Sequence, residues 1–297
     1  MKHLAEQLRE MGCGVRINEP MSAHTSFRIG GGADLFVTAS TPEQIAGVRR
    51  LCTRREVPLL VIGNDSNLLV SDEGIAGVVL QIESAPPVFD GTRVTASAGL
   101  PLGKLCVAVC ERGLAGLEFA YGIPGTVGGG VYMNAGAYGG EMAQVIRRVG
   151  LLDGEGNLTV REREEMAFGY RHSLLMEQPL TVVWAELELT PDEPSCIRAR
   201  MNDYLNRRRD KQPLEFPSGG SFFKRPEGHF AGALIEQCGL KGTAVGGAQV
   251  SEKHAGFVIN RGGATCADVM ELCRLVQTTV KDACGVLLER EVQLVGR

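Results

Sequence analysis

The stretch Gly122-Ile123-Pro124-Gly125-Thr126-Val127-Gly128-Gly129-Gly130, followed by Met133-Asn134-Ala135-Gly136-Ala137, decides how this chain is read. So many small residues in so short a span let a flat ring or a pyrophosphate lie directly against the backbone. A second run, Gly63-Asn64-Asp65-Ser66-Asn67, follows the buried-strand pattern of Leu59 to Ile62. Its glycine, amide and hydroxyl residues can turn backbone amides toward phosphate oxygens. Gly30-Gly31-Gly32 is a third cluster. Either loop alone reads equally well as tight turns in a glycine-tolerant α/β protein; together they favour a bound nucleotide or dinucleotide. The pattern is not the Rossmann fingerprint, since no Gly-x-Gly-x-x-Gly opens a helix, and there is no Walker lysine and hydroxyl pair.

Glycine is also where the composition departs from the ordinary: 39 of 297 residues, nearly twice the roughly 7% average. The length is about twice the commonest domain size, so two domains are expected. With 44% hydrophobic and 22% charged residues the chain reads as globular, and no apolar run approaches the roughly 20 residues of a membrane span. Lys2, Glu6, Arg9 and Glu10 interrupt the N-terminus in a way that does not suit a secretory signal, so a cytoplasmic protein is expected. Net charge is -4, and only Arg207-Arg208-Arg209 cluster among the basic residues; this argues against a nucleic-acid partner. The nine cysteines show no Cys-x-x-Cys spacing, and Cys106, Cys110 and Cys273 fit helix core positions, so buried free thiols are expected. The five histidines are scattered, and no metal site is expected.

Along the chain, strand and helix patterns alternate. Ala33 to Thr38 reads as a strand, and Thr41, Pro42 and Gln44 form a capping box for a helix carrying Ile45, Val48, Leu51 and Cys52, stopped by Pro58. Strands are expected at Leu59 to Ile62, Gly77 to Ile82 and Arg93 to Ala98, with a helix from Leu102 to Cys110 closed by Gly113, and the character of the chain changes beyond Trp184 to Leu189. Pro191 to Pro194 reads as a link, after which Ser195 caps a helix presenting Ile197, Met201, Tyr204 and Leu205. The remainder predicts a short helix near Ala231 to Cys238, a longer one from Thr265 to about Asp282, and a final strand from Val286 to Val295.

With these patterns in place, ordered motifs make the chain resemble the UDP-N-acetylenolpyruvoylglucosamine reductases. They are His24-Thr25-Ser26-Phe27 with Gly30-Gly31 and Ala33-Asp34; Gly63 to Leu68 with Asp72 and Gly74; Ile123-Pro124-Gly125 through Asn134 to Gly139; and Gly169-Tyr170-Arg171-His172-Ser173. Ser218 to Lys224, Ala231-Gly232 through Gly239-Leu240-Lys241-Gly242, and Leu288-Glu289-Arg290-Glu291-Val292 complete the set. The resemblance runs from about residue 18 to the end. It implies an α+β fold: an FAD-binding domain of the vanillyl-alcohol oxidase and p-cresol methylhydroxylase type over residues 23–190, in two subdomains split near 85, after an N-terminal segment 1–22. A C-terminal α+β substrate-binding domain would cover 195–297. The short connection between Arg171 and Ser221 matches the second, shorter type of the family.

The resemblance further implies FAD as cofactor, NADPH and UDP-N-acetylglucosamine enolpyruvate as partners, no membrane, and a role in peptidoglycan precursor synthesis; a monomer is expected. Arg171, Ser221 and Glu291 match the catalytic positions: a clamp for the substrate carboxylate, a proton donor to C2, and a third acidic group. Alternation along the last strand puts Glu289 and Glu291 on one face, and only the family pattern selects Glu291. Gly63, Asn64, Asp65, Ser66, Asn67, Gly122, Ile123, Pro124, Gly125, Thr126, Gly128, Gly129, Asn134, Ala135 and Gly136 would hold FAD. Tyr170, Lys224, Lys241, Gln249, His254 and Asn260 are substrate-side choices, with Arg225 standing after Lys224 where relatives commonly carry asparagine. Another flavoenzyme on the same FAD domain, or a nucleotide-binding regulator that kept only the loops, are the alternatives; Arg171, Ser221 and Glu291 together speak against both.

Overall fold

A computed structural model describes all residues 1–297, which form two compact units. The first comprises Met1–Ile17, Leu35–Asn64 and Gly77–Arg208. Its N-terminal helix, Lys2–Glu10, buries Leu4, Ala5 and Leu8 on one face. The helix Pro42–Arg54 begins where the sequence places it: Thr41 accepts the Gln44 amide, and the Gln44 side chain returns to the Thr41 amide. It leads into Leu59–Ile62, which pairs in parallel with Ile75–Ile82 from Leu59 opposite Val78 to Ile62 opposite Gln81. A five-stranded antiparallel sheet follows in the spatial order Leu158–Glu162, Ile146–Leu152, Thr181–Glu188, Arg93–Ser97, Val88–Asp90. The helix Leu102–Glu111 turns Leu102, Leu105, Cys106, Val109 and Cys110 into the core.

The helix after the proline link begins at Pro194, one residue before the expected cap at Ser195, and extends to Lys211. Proline suits the first helical turn because its missing amide would have had no partner there. Ile197 and Met201 enter the core of the first unit, and the Arg200 guanidinium reaches Glu118 at 2.7 Å and Asp192 at 2.6 Å.

The second unit comprises Asn18–Asp34, Asp65–Ala76 and Arg209–Arg297. Its sheet runs Ser218–Ser221, Phe257–Asn260, Ala248–Val250, Ala244–Val245, antiparallel throughout. Two helices, Ala231–Gln237 and Cys266–Cys284, share its core with Phe27, Leu69, Phe222 and Leu288. The longer helix buries Val269, Leu272, Cys273, Val276 and Val280, the stripe that the sequence pattern predicts.

The last strand is shorter than the run from Val286 to Val295 suggests. Only Gln293–Val295 forms strand, in parallel with Leu68–Val70. The residues before it are held otherwise: the Glu289 carbonyl accepts the Lys224 amide, Arg290 bridges Phe223, and the Glu291 amide donates to the Phe222 carbonyl. Alternation records an extended chain but not the partner it pairs with.

The start of the long helix leaves no first-turn amide without an acceptor. Asp72 accepts from Cys266 at 2.8 Å and Ala267 at 3.0 Å, and Thr265 Oγ1 accepts from Asp268 at 3.0 Å. Thr265→Ala is predicted to lower stability by about 1 kcal/mol, read as a lower urea midpoint at unchanged slope; an unchanged midpoint would show that the cap contributes nothing.

Candidate functional site

In the first unit the two glycine runs meet. A side chain at Gly63 would lie 2.3 Å from Thr126 Oγ1, closer than any real contact, so glycine is what allows the approach. Beside it, Asn64 Nδ2 donates to the Pro124 carbonyl at 3.1 Å, and Gln81 donates to the Gly63 carbonyl at 3.1 Å. The second loop is fixed from below: the Gly125 carbonyl accepts the Leu102 amide, and the Val127 and Gly128 amides donate to Leu100 and Ala98. Ile123 donates to Ala120, and Thr126, itself buried, accepts the Gly129 amide.

Arg208 lies over the loop. A Cβ on Gly122 would stand 2.5 Å from its Cδ, and its Nε is buried without a hydrogen-bond partner. Burial holds this guanidinium below its usual pKa, while Tyr138 nearby acts in the opposite sense. Tyr138 has φ +55° and stacks on Tyr204 at 4.6 Å between ring centres. The sequence singled out Arg208 only as part of a basic triplet; its place against Gly122 was the missing information. A glycine cradle with an unpartnered buried guanidinium nitrogen fits an anionic dinucleotide.

The Gly169 to Ser173 turn is tied to the end of the same loop. Asn134, 1% exposed with φ +42°, donates to the Gly169 carbonyl at 3.0 Å and accepts the Ala143 amide at 2.9 Å. The Ala135 amide donates to Gly130. Ser173 Oγ donates to the Tyr132 carbonyl at 2.7 Å, and Gly169 and His172 exchange backbone hydrogen bonds. These ties hold Arg171, at φ +53°, so that its Nη2 donates to the Gly136 carbonyl at 3.3 Å and its guanidinium carbon is 5.3 Å from the centre of the exposed Tyr170 ring.

The second unit carries Ser221 and Glu291. Ser221, exposed, ends a strand opposite Phe257. The next residue, Phe222, receives the Glu291 amide at 2.9 Å, so the backbones of the two segments meet one residue from Ser221. Asn67 fastens the same segment: its side chain donates to the Glu291 carbonyl at 3.2 Å, and its own carbonyl accepts the Gln293 amide. Lys224 pairs with the exposed Glu289 at 3.3 Å, and Lys241 with Glu236 at 2.6 Å. His254 accepts the Gly256 amide at Nδ1 and meets the Phe257 ring edge to face; burial lowers its pKa. Gln249 and Asn260 are buried and engaged within the unit. Gln249 donates to Gly242, while Asn260 donates to Phe27 and accepts from Gly262 and Ala264. A cavity of about 250 Å³ in this unit is lined by Gln249, Ser251, Glu252, Lys253 and Arg261 among others, and not by Ser221 or Glu291.

Asp65 behaves unlike its polar loop neighbours. It is 5% exposed, sits at φ +47°, and its Oδ2 has no partner. Burial pushes its carboxyl up to about 7, against the pull of a hydrogen bond with its own amide. The folded chain therefore holds a proton that the unfolded chain releases near pH 4, and stability falls as pH rises through this window. Asp65→Asn, which tolerates positive φ, is predicted to exceed the parent in stability at pH 8 by at most about 4 kcal/mol. That advantage should vanish below pH 4; equal urea midpoints at pH 8 would refute it.

Comparison with known proteins bears on the whole chain. The sequence profile of the UDP-N-acetylenolpyruvoylglucosamine reductase C-terminal domain matches residues 212–295, and that of an FAD binding domain matches residues 33–160. A UDP-N-acetylenolpyruvoylglucosamine reductase of Clostridium perfringens is 48% identical over 284 residues, covering 95% of this chain and 93% of its own. The crystal structure of UDP-N-acetylenolpyruvylglucosamine reductase from Thermus caldophilus is 34% identical with a TM-score of 0.81, over 95% of this chain and 98% of that one. A variant of berberine bridge enzyme, a reticuline dehydrogenase, shares the fold alone, with a TM-score of 0.50 at 13% identity over 64% of this chain and 44% of that one.

Proposed function

The chain belongs to the UDP-N-acetylenolpyruvoylglucosamine reductase family, and from that premise we propose how its own residues carry the reaction. It is an FAD-dependent oxidoreductase that reduces UDP-N-acetylglucosamine enolpyruvate to UDP-N-acetylmuramate with NADPH, a step of peptidoglycan precursor synthesis. Its fold is α+β, with an FAD-binding domain of the vanillyl-alcohol oxidase type and a C-terminal substrate-binding domain. No helix is long and apolar enough to cross a membrane; a cytoplasmic monomer divided at 23–190 and 195–297 is our working assignment.

A bound FAD would supply the hydride-transfer chemistry between NADPH and C3 of the enolpyruvyl group. In our reading Gly63, Asn64 and the Gly122 to Gly136 loop hold it in the first unit, with Arg208 adding positive charge beside Gly122. Asp65, Ser66 and Asn67 continue the first of these loops and keep the same assignment. Arg171 clamps the substrate carboxylate in a two-pronged hydrogen bond and opposes the negative charge that grows as the enolate forms. Ser221 gives its proton to C2. A serine hydroxyl is so weak an acid that it serves only against a strongly basic enolate close by, with a neighbouring group to restore the proton.

The single observation supporting this division of labour is the hydrogen bond from the Glu291 amide to the carbonyl of Phe222, next to Ser221. It ties the backbone of Glu291 to the residue after Ser221, and in our reading the Glu291 side chain serves that return. Tyr170, Lys224, Lys241 and His254 are assigned to the sugar nucleotide and NADPH. The internal hydrogen bonds of Gln249 and Asn260 assign these two to supporting the strands behind.

The purified protein should be yellow, bleached by NADPH and recoloured by the enolpyruvyl sugar nucleotide; a protein that binds no added FAD would refute the reading. Ser221→Ala should leave flavin reduction nearly intact while slowing reoxidation by about 10²- to 10⁴-fold. Equal losses in both half-reactions would show that Ser221 is not the proton donor. Arg208→Gln should weaken FAD binding by about 1.5–3 kcal/mol, measured from flavin fluorescence on dilution; unchanged retention would remove Arg208 from the cofactor site.

A further inference from the structure

Two thiols in the second unit face each other across helix ends. Cys238 caps the helix Ala231–Gln237, Cys284 is the last residue of the helix Cys266–Cys284, and their Sγ atoms are 3.8 Å apart. All nine cysteines are free. Six are buried and Cys196 is exposed by itself, whereas Cys238 and Cys284 are both partly exposed. Each is followed by a glycine at φ +71°, Gly239 and Gly285, where an added Cβ would meet nothing within 4 Å. A disulfide requires the sulfurs to close to about 2.05 Å, a shift of under 2 Å shared between two helix ends.

We propose that Cys238 and Cys284 form a reversible dithiol–disulfide site, oxidised by low-molecular-weight disulfides of the glutathione class. One cysteine, as thiolate, attacks a sulfur of the small disulfide and expels one small thiolate. The other cysteine then attacks the protein sulfur of that mixed disulfide and expels the second. The two protein thiols lose two protons and two electrons; the small disulfide gains them and leaves as two thiols, so atoms and charge balance.

Both sulfurs stand at helix C-termini, where the helix dipole disfavours a thiolate. Partial burial and the hydrogen bond with Cys284 also hold the Cys238 thiol above its usual range. The pair is therefore a slow responder to its redox surroundings, unlike a catalytic dithiol kept as thiolate. The bond would close a ring across 46 residues that contains Lys241, Gln249, His254 and Asn260. Such a ring restricts the unfolded chain and raises the melting temperature of the oxidised form by several degrees. Neither sulfur belongs to the site assigned above, so the inference stands apart from the catalytic reading.

The test uses the full-length, FAD-loaded protein incubated with oxidised glutathione, then denatured and titrated for free thiols. The expected count falls from nine to seven, with the product two hydrogens lighter and a peptide map joining Cys238 to Cys284; dithiothreitol restores the count. Cys238→Ser and Cys284→Ser should retain reductase activity and form no internal disulfide, carrying at most one glutathione on the remaining cysteine of the pair. Nine free thiols after treatment of the native protein, a stable glutathione adduct in place of the crosslink, or a disulfide mapped to other cysteines would overturn the proposal.

Discussion

A side chain at Gly63 would collide with Thr126, and much of the first unit follows from its absence. The close approach at 2.3 Å from the would-be Cβ to Thr126 Oγ1 brings Asn64 within hydrogen-bond distance of Pro124. Two glycine runs distant in sequence thereby become one surface. Thr126 also accepts the Gly129 amide at the start of the helix Val127–Tyr132. The carbonyl of Tyr132 takes the Ser173 hydroxyl, Asn134 takes hold of Gly169, and Gly136 receives Arg171. A chain of short polar bonds therefore runs from the phosphate-type loop to the arginine. The small residues are not loose segments: the Gly63, Gly125, Gly130 and Gly136 carbonyls and the Gly128 and Gly129 amides are all engaged by neighbouring elements.

What was legible in the sequence is what local chemistry decides. The capping box at Thr41 and the apolar stripe from Val269 to Val280 depend on residues within a few turns of one another, and the structure contains them. Asp72 was legible only as a motif member, because its acceptor role depends on amides that lie almost two hundred positions further on. The segment from Val286 to Val295 misled for the same reason. Its alternation is compatible with a strand, yet Phe222 and Lys224 take its backbone hydrogen bonds before Gln293 is reached.

The site was legible as a set of residue types and not as an environment. Asp65 looks like one more polar residue in Gly63 to Asn67, but burial changes its chemistry, raising its carboxyl to about 7 so that it keeps its proton above the pH at which an exposed aspartate loses it. Arg208 is the converse case. Its charge was visible in the Arg207 to Arg209 run, while its burial against Gly122 and the unpartnered Nε were not. In both residues the property that matters comes from what surrounds the group.

Glu289 and Glu291 show how geometry decides where periodicity leaves a tie. A regular strand would present both carboxylates on one face, but this stretch is not regular strand. Glu289 lies opposite Lys224, exposed and ion-paired with it, and its carbonyl accepts that lysine's amide. Glu291 lies two residues on, opposite Phe222, half-buried and fastened through Asn67. An exposed carboxylate in contact with a lysine is held as an acceptor for that ammonium. The backbone hydrogen bond into Phe222, the residue after Ser221, is made by Glu291, whereas Glu289 binds Lys224 further along. Pairing register, and not side-chain alternation, thus gives the two acids different backbone partners and different exposure.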